Sequence, residues 1–182
     1  MNQSEQDFQN LYHQYHILVY NLALHYLQNI EEAEEITQDV FVQVYHSLEQ
    51  FNQKSSLKTW IYRIALNKCH DLIKHKNSRK RWFIFGTKSQ NEHDYLNHPN
   101  FEHPGILLEN KEKAALLYQT INTLPENQKT AFVLSKIEGL SNPEIAEVMN
   151  LSVSAIESLV FRAKASLQEK LSEKFIEYRK KK

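Results

Sequence analysis

An all-α protein of two small helical domains joined by a flexible linker is what this sequence predicts, on three observations. Glycine occurs three times and proline four times in 182 residues, while Leu, Glu, Gln, Lys, Ala and Ile, which suit helices, are frequent. Apolar residues recur at intervals of three and four through long stretches of both halves of the chain. Between those stretches, residues 82–107 lose the period and collect Asn, His, Gly and two Pro, the composition of a connection.

The first element spans residues 8–27, "FQNLYHQYHILVYNLALHYL", and the second residues 31–51, "EEAEEITQDVFVQVYHSLEQF". In the second, Ala33, Ile36, Val40, Phe41, Val44, Leu48 and Phe51 form one apolar stripe, so both read as amphipathic helices. After the polar break "NQKSS" a third helix is expected from about Leu57 to His75. The linker follows, with a "WFIF" patch at Trp82–Phe85 expected to pack on a domain or a partner. Helical pattern resumes near Leu108 and runs through "NKEKAALLYQTINTL" and "PENQKTAFVLSKIEGL". The expected boundaries are therefore residues 1–81 for the first domain, 82–107 for the linker and 108–182 for the second domain, with a helix-turn-helix at about 141–165.

Composition narrows the function. The start "MNQSEQDFQNLYHQY" has neither the basic opening nor the apolar run of a signal peptide, and no apolar stretch reaches the 18 or so residues that cross a membrane, so a soluble cytoplasmic protein is expected. The lone Cys69 lies within a helical pattern and reads as a small buried residue. Nine His are scattered, and neither "HQYH" nor "HDLIKH" comes with a convergent ligand set. With no glycine-rich phosphate loop and no nucleophile motif, neither an enzyme nor a cofactor or metal site is expected.

The zero net charge of 22 basic and 22 acidic residues is a cancellation. Residues 1–50 hold eight acidic residues and no Lys or Arg, whereas residues 51–90 hold ten basic and one acidic. Residues 91–126 hold two basic and six acidic, and residues 127–182 ten basic and seven acidic. Because salt screens charge over about 8 to 10 Å, phosphate binding follows the local field more than the total.

The stretch "GLSNPEIAEVMNLSVSAIESLVFRAKASL", residues 139–167, reads as helix, tight turn and helix. Ser141 and Glu144 make a capping box, and Pro143 falls in the first turn, where its missing N–H costs nothing. Ala146 is small where the second helix must cross, and Asn150 tolerates the left-handed conformation such a turn needs. In the second helix Ile156, Leu159, Val160, Ala163 and Leu167 face inward, leaving Ser154, Glu157, Ser158, Phe161, Arg162 and Ala165 outward. On DNA those outward residues would meet the major groove, Arg162 reaching phosphates or a guanine and Glu157 accepting from cytosine N4. An ordinary helical hairpin would show the same apolar pattern.

The third helix sets Leu57, Ile61, Ala65 and Leu72 inward and lines up Trp60, Arg63, Asn67, His70, Asp71 and Lys74 on another face. A stacking ring among cations and an amide suits single-stranded or unwinding nucleic acid. Lys54, Lys58, Lys76, Arg79, Lys80 and Arg81 extend that positive field. The acidic second helix turns Glu31, Glu35, Gln38, Asp39, Val42 and His46 outward, a face that DNA repels and that suits a protein partner.

"EEAEEITQDVFVQVYHSL", "SLKTWIYRIALNKCHDLIK" and "LPENQKTAFVLSKIEGLSNPEIAEVMNLSVSAIESLVFRAKASL" together resemble regions 2 and 4 of bacterial RNA polymerase sigma factors of the extracytoplasmic-function (ECF) type, over about 140 of the 182 residues. The resemblance implies a promoter-specificity factor that binds core RNA polymerase and promoter DNA, with an anti-sigma factor a common partner in the family. It implies that Glu35, Gln38, Asp39, Val42 and Gln43 dock on the clamp helices of the largest polymerase subunit. It further implies that Lys54, Ser55, Ser56, Lys58, Trp60, Arg63, Asn67, His70, Asp71 and Lys74 meet the melted −10 strand, where a base is flipped and captured. The −35 duplex falls by the same resemblance to Ser154, Ala155, Glu157, Ser158, Phe161, Arg162 and Lys164, and the linker to the active-site and RNA-exit region. The chain departs from the family pattern at Glu157 and Leu159, where many members carry Arg or Lys, and at Lys68, where an apolar residue is common. A stand-alone helix-turn-helix regulator is the alternative reading; it leaves residues 1–80 without a role.

Overall fold

In the computed structural model, residues 3–52, 55–86 and 108–181 are described, with side chains over 6–52, 55–79 and 113–172. The chain divides into two units, Met1–Asn100 and Phe101–Lys182.

The first unit is a three-helix bundle of α1 (Gln3–Leu27), α2 (Ile30–Ser47) and α3 (Leu57–Gly86), each packed on the other two. Only two residues join α1 to α2. Gln28 takes the left-handed conformation at φ 57°, its N–H donating to the Leu24 carbonyl, and the Asn29 side chain caps α2 by accepting from the Glu32 N–H at 2.8 Å. The predicted α2 stripe is the core, with Ala33, Ile36, Val40, Phe41 and Val44 buried against Val19, Leu22, Ala23 and Tyr26 of α1 and Ile61, Tyr62, Ala65 and Cys69 of α3. Cys69 is buried, as its pattern predicts.

Three boundaries in the first unit differ from the sequence reading by more than one residue, the first being the start of α1, at Gln3 rather than at residue 8. Helix α2 stops at Ser47, and a 3₁₀ turn over Leu48–Gln50 carries Phe51 away from the α2 stripe. Helix α3 runs past the predicted His75 to Gly86, so residues 82–86, assigned to the linker, continue the helix. Apolar periodicity fades after 75, but no Gly or Pro occurs between Leu57 and Phe85, and a nucleated helix propagates until a breaker is met. The side chains of Trp82–Phe85 and the rest of the linker, residues 87–107, lie outside the described residues, so their expected packing does too.

The second unit comprises α4 (Leu108–Ile121), α5 (Glu126–Phe132), α6 (Asn142–Met149) and α7 (Val153–Lys181), with a π-helical turn, Val133–Ile137, continuing α5. Gly139, at φ 70°, ends that turn in the left-handed conformation that glycine adopts without strain, and the Leu140 N–H closes on the Leu134 carbonyl. Ile121, Val133, Leu134, Ile145, Ile156 and Ala163 are fully buried, and α7 packs on α4, α5 and α6. The turn after α4 is tied to two helices. Lys129, buried on α5, donates to Asn122 at 2.7 Å, and Lys170 of α7 donates to the Thr123 hydroxyl at 2.8 Å. Burial, and secondarily the Glu138 carboxylate, raise the phenol of Tyr118 above its usual pKa.

The helix-turn-helix starts as predicted. Ser141 caps α6, the Glu144 carboxylate accepts from the Ser141 N–H at 2.8 Å and from its hydroxyl at 2.7 Å, and Pro143 stands in the first turn. Ser141→Ala is expected to cost about 1 kcal/mol and to lower the melting temperature of the second unit by roughly 4 to 8 °C. Calorimetry of the full chain measures it, and an unchanged transition would show that the box adds nothing to the fold.

Candidate functional site

Helix α7 forms the outer arm of the helix-turn-helix because its first turn is fixed locally. Asn150 ends α6 in the left-handed conformation at φ 53°, and the Leu151 N–H returns to the Ala146 carbonyl. Ser152 then caps α7, its hydroxyl accepting from the Ala155 N–H at 3.3 Å. With Ile156, Ala163 and Leu167 anchored in the core, Ser154, Glu157, Ser158, Phe161, Arg162, Lys164 and Ala165 are exposed, and Ala155 is half-buried. Leu159 and Val160, read as inward, are half-buried at the margin of that face. Phe161, 73% exposed, is the most open large apolar side chain described. Arg162 lies back along its own helix, its Nε donating to the Ser158 carbonyl at 3.2 Å.

In the first unit, α3 begins with Ser56 accepting from the Thr59 N–H at 3.1 Å. Trp60 is half-buried, its ring 5.0 Å from that of Phe51 at 36°, where the sequence pattern suggested an open ring. Phe51 therefore backs Trp60, a partnership the sequence pattern missed by assigning Phe51 to the α2 stripe. Lys58 lies 5.8 Å over the Tyr62 ring, half-buried like Arg63 and Ser55, while Ser56, Asn67, Asp71 and Lys74 are exposed. Lys54 lies outside the described residues. His70 turns toward the bundle, its Nε2 2.7 Å from the hydroxyl of buried Tyr26, which ties it to α1 and separates it from the open residues of the face.

The face of α2 opposite its core stripe is open, with Glu31, Glu34, Glu35, Gln38, Asp39, Val42, Gln43 and His46 exposed. Val42 stands amid the acidic residues at 58% exposure, and Tyr45, one turn on, at 53%. Tyr45 packs edge-on against Phe8, and Phe41 against Tyr12, so an aromatic cluster from α1 supports that end of the face. Lys68 of α3 pairs with Asp39 at 3.5 Å, and Lys76 pairs with Glu32. The departure at Lys68 thus has a structural consequence: it partly neutralises the acidic face from inside the protein.

Among the described residues no cluster of His, Cys, Asp or Glu could hold a metal, and no helix is long and apolar enough to cross a membrane.

The two units coincide with two family matches. Residues 11–79 match sigma-70 region 2 and residues 114–167 match sigma-70 region 4. The ECF RNA polymerase sigma-E factor of Haemophilus influenzae is 30% identical over 141 residues, which is 77% of this chain and 75% of that protein. Two solved structures share the fold: CnrH in complex with the cytosolic domain of CnrY, at TM-score 0.68 and 24% identity over 93% of this chain and 90% of that one, and the sigma factor RpoE of Bartonella quintana in complex with the anti-sigma factor NepR, at TM-score 0.67 and 22% identity over 92% of this chain and 98% of that one. Region 2 occupies the unit that a stand-alone regulator leaves unexplained, and with region 4 on the helix-turn-helix it makes this chain a promoter-recognising member of the ECF branch of bacterial RNA polymerase sigma factors.

Proposed function

We propose that the chain divides promoter recognition among three surfaces: the acidic face of α2 docks on core RNA polymerase, α3 holds the melted −10 strand, and the exposed face of α7 reads the −35 duplex. One observation carries this reading. Within a bundle whose core they share, α2 exposes Glu35, Gln38 and Asp39, whereas α3 exposes Asn67 and Lys74 beside Trp60 and Arg63. A partner bearing cationic helices fits the first surface, and a polyanion with unstacked bases fits the second. The zero net charge follows from this division. Polymerase supplies much of the grip on the promoter, so the sigma chain can carry as much acid for docking as base for DNA.

Docking is proposed for Glu35, Gln38, Asp39, Val42 and Gln43. The −10 strand is proposed for Lys54, Ser55, Ser56, Lys58, Trp60, Arg63, Asn67, Asp71 and Lys74, with His70 acting through its bond to Tyr26 to orient the helix. The −35 duplex is proposed for Ser154, Ala155, Glu157, Ser158, Phe161, Arg162 and Lys164. In this reading the chain works in the cytoplasm, contributes recognition and leaves catalysis to the polymerase. The anti-sigma factor bound to RpoE of Bartonella quintana supports a regulator of the same kind for this chain.

Holoenzyme footprinting tests the division. Arg162→Ala is expected to weaken protection of the upstream duplex several-fold while leaving the permanganate reactivity of promoters already opened unchanged. Equal loss of both signals would show that the surfaces do not act separately.

A further inference from the structure

We infer that Glu157 is a specificity-determining residue that selects a cytosine in the upstream promoter element. The inference rests on the −35 reading of α7 and goes beyond it by naming a base. Glu157 is exposed on the open face of α7, one turn after Ser154 and one turn before Phe161. Its neighbours three and four positions away are Ser154, Val153, Val160 and Phe161, so no cation of its own helix lies within the usual pairing distance. The nearest cations on the helix, Arg162 and Lys164, stand roughly 7 and 10 Å further along the axis, and Arg162 is folded back onto the Ser158 carbonyl.

A carboxylate carried into the major groove in this way is an acceptor that needs a donor. Guanine offers O6 and N7 and thymine offers O4, all acceptors, so both leave the charge desolvated without a partner. Adenine offers its N6 amino group beside the acceptor N7, which repels the second carboxylate oxygen. Cytosine offers its N4 amino group with no acceptor next to it on the same base. The residue works largely by exclusion: it weakens attraction to phosphates on every sequence and is compensated at one base only.

The experiment is selection of duplexes randomised over the upstream element by holoenzyme assembled from core RNA polymerase and the full chain, carried out with the wild type, Glu157→Ala and Glu157→Gln. The wild type is expected to enrich cytosine at one position by about tenfold. Glu157→Ala is expected to erase that preference while binding the unselected pool more tightly. Glu157→Gln is expected to move the preference toward adenine, whose N6 and N7 an amide matches. An enriched upstream element with the same base at every position in all three proteins would overturn the inference and leave the −35 reading standing. No upstream enrichment by the wild type would overturn both.

Discussion

Replacing Glu35 and Asp39 together by lysine is expected to abolish co-elution of the chain with core RNA polymerase on a sizing column, a loss of at least 100-fold in affinity. Both residues are exposed on α2, on the same side as Gln38 and Val42. If the partner presents cationic helices, each reversal removes an attraction and adds a repulsion. Truncating one member of a buried interfacial charge pair alone costs about 2 to 5 kcal/mol. The Lys68–Asp39 pair enters this test directly. Asp39→Lys places two ammonium groups side by side on the surface of the bundle, but an exposed pair is worth only about 0 to 1 kcal/mol, so the fold should survive, and circular dichroism melts check that it does. Glu35→Lys, one turn away from that pair, should weaken binding without disturbing it. Stoichiometric co-elution of the folded double variant would remove the α2 face from the docking surface.

What the sequence made legible was what depends on neighbours in the chain. The capping box of Ser141 and Glu144 and the left-handed Asn150 are each set by a few consecutive side chains, and each appears where the pattern placed it. The stripes of α2 and α7 follow from a 3.6-residue period, and the exposed Val42 and Phe161 are their complements. What escaped was tertiary. Gln28 has no intrinsic preference for its left-handed conformation; the two-residue connection that brings α1 onto α2 imposes it. Phe51 continued the α2 period on paper, yet the helix ends before it and the ring turns to Trp60. Tyr26 with His70, and Asp39 with Lys68, pair across 44 and 29 positions, contacts that no local pattern encodes. The consequence for the candidate site is specific. Its exposed residues were readable, whereas the groups that hold or neutralise them were not.

Trp60→Ala is expected to reduce open-complex formation on duplex promoters by tenfold or more while leaving co-elution with core polymerase intact. Extruding a base from the duplex costs a few kcal/mol, and an aromatic platform returns about 1 to 3 kcal/mol per stacked base. The Phe51 ring, 5.0 Å behind Trp60, holds the indole in place, so stacking a base there sacrifices little side-chain freedom. A template already melted over the −10 element should recover part of the lost activity, because the extrusion cost has been removed while the stacking partner is still missing. Trp60→Phe keeps a ring and should fall between the wild type and alanine. Permanganate reactivity of the melted strand reads all three. Should Trp60→Ala instead abolish core binding and lower the melting temperature of the first unit, the tryptophan would be a prop for the α2–α3 connection and the captured base would have to lie elsewhere on α3. Co-elution and permanganate reactivity, measured on the same preparation, therefore separate a stacking residue from a structural one.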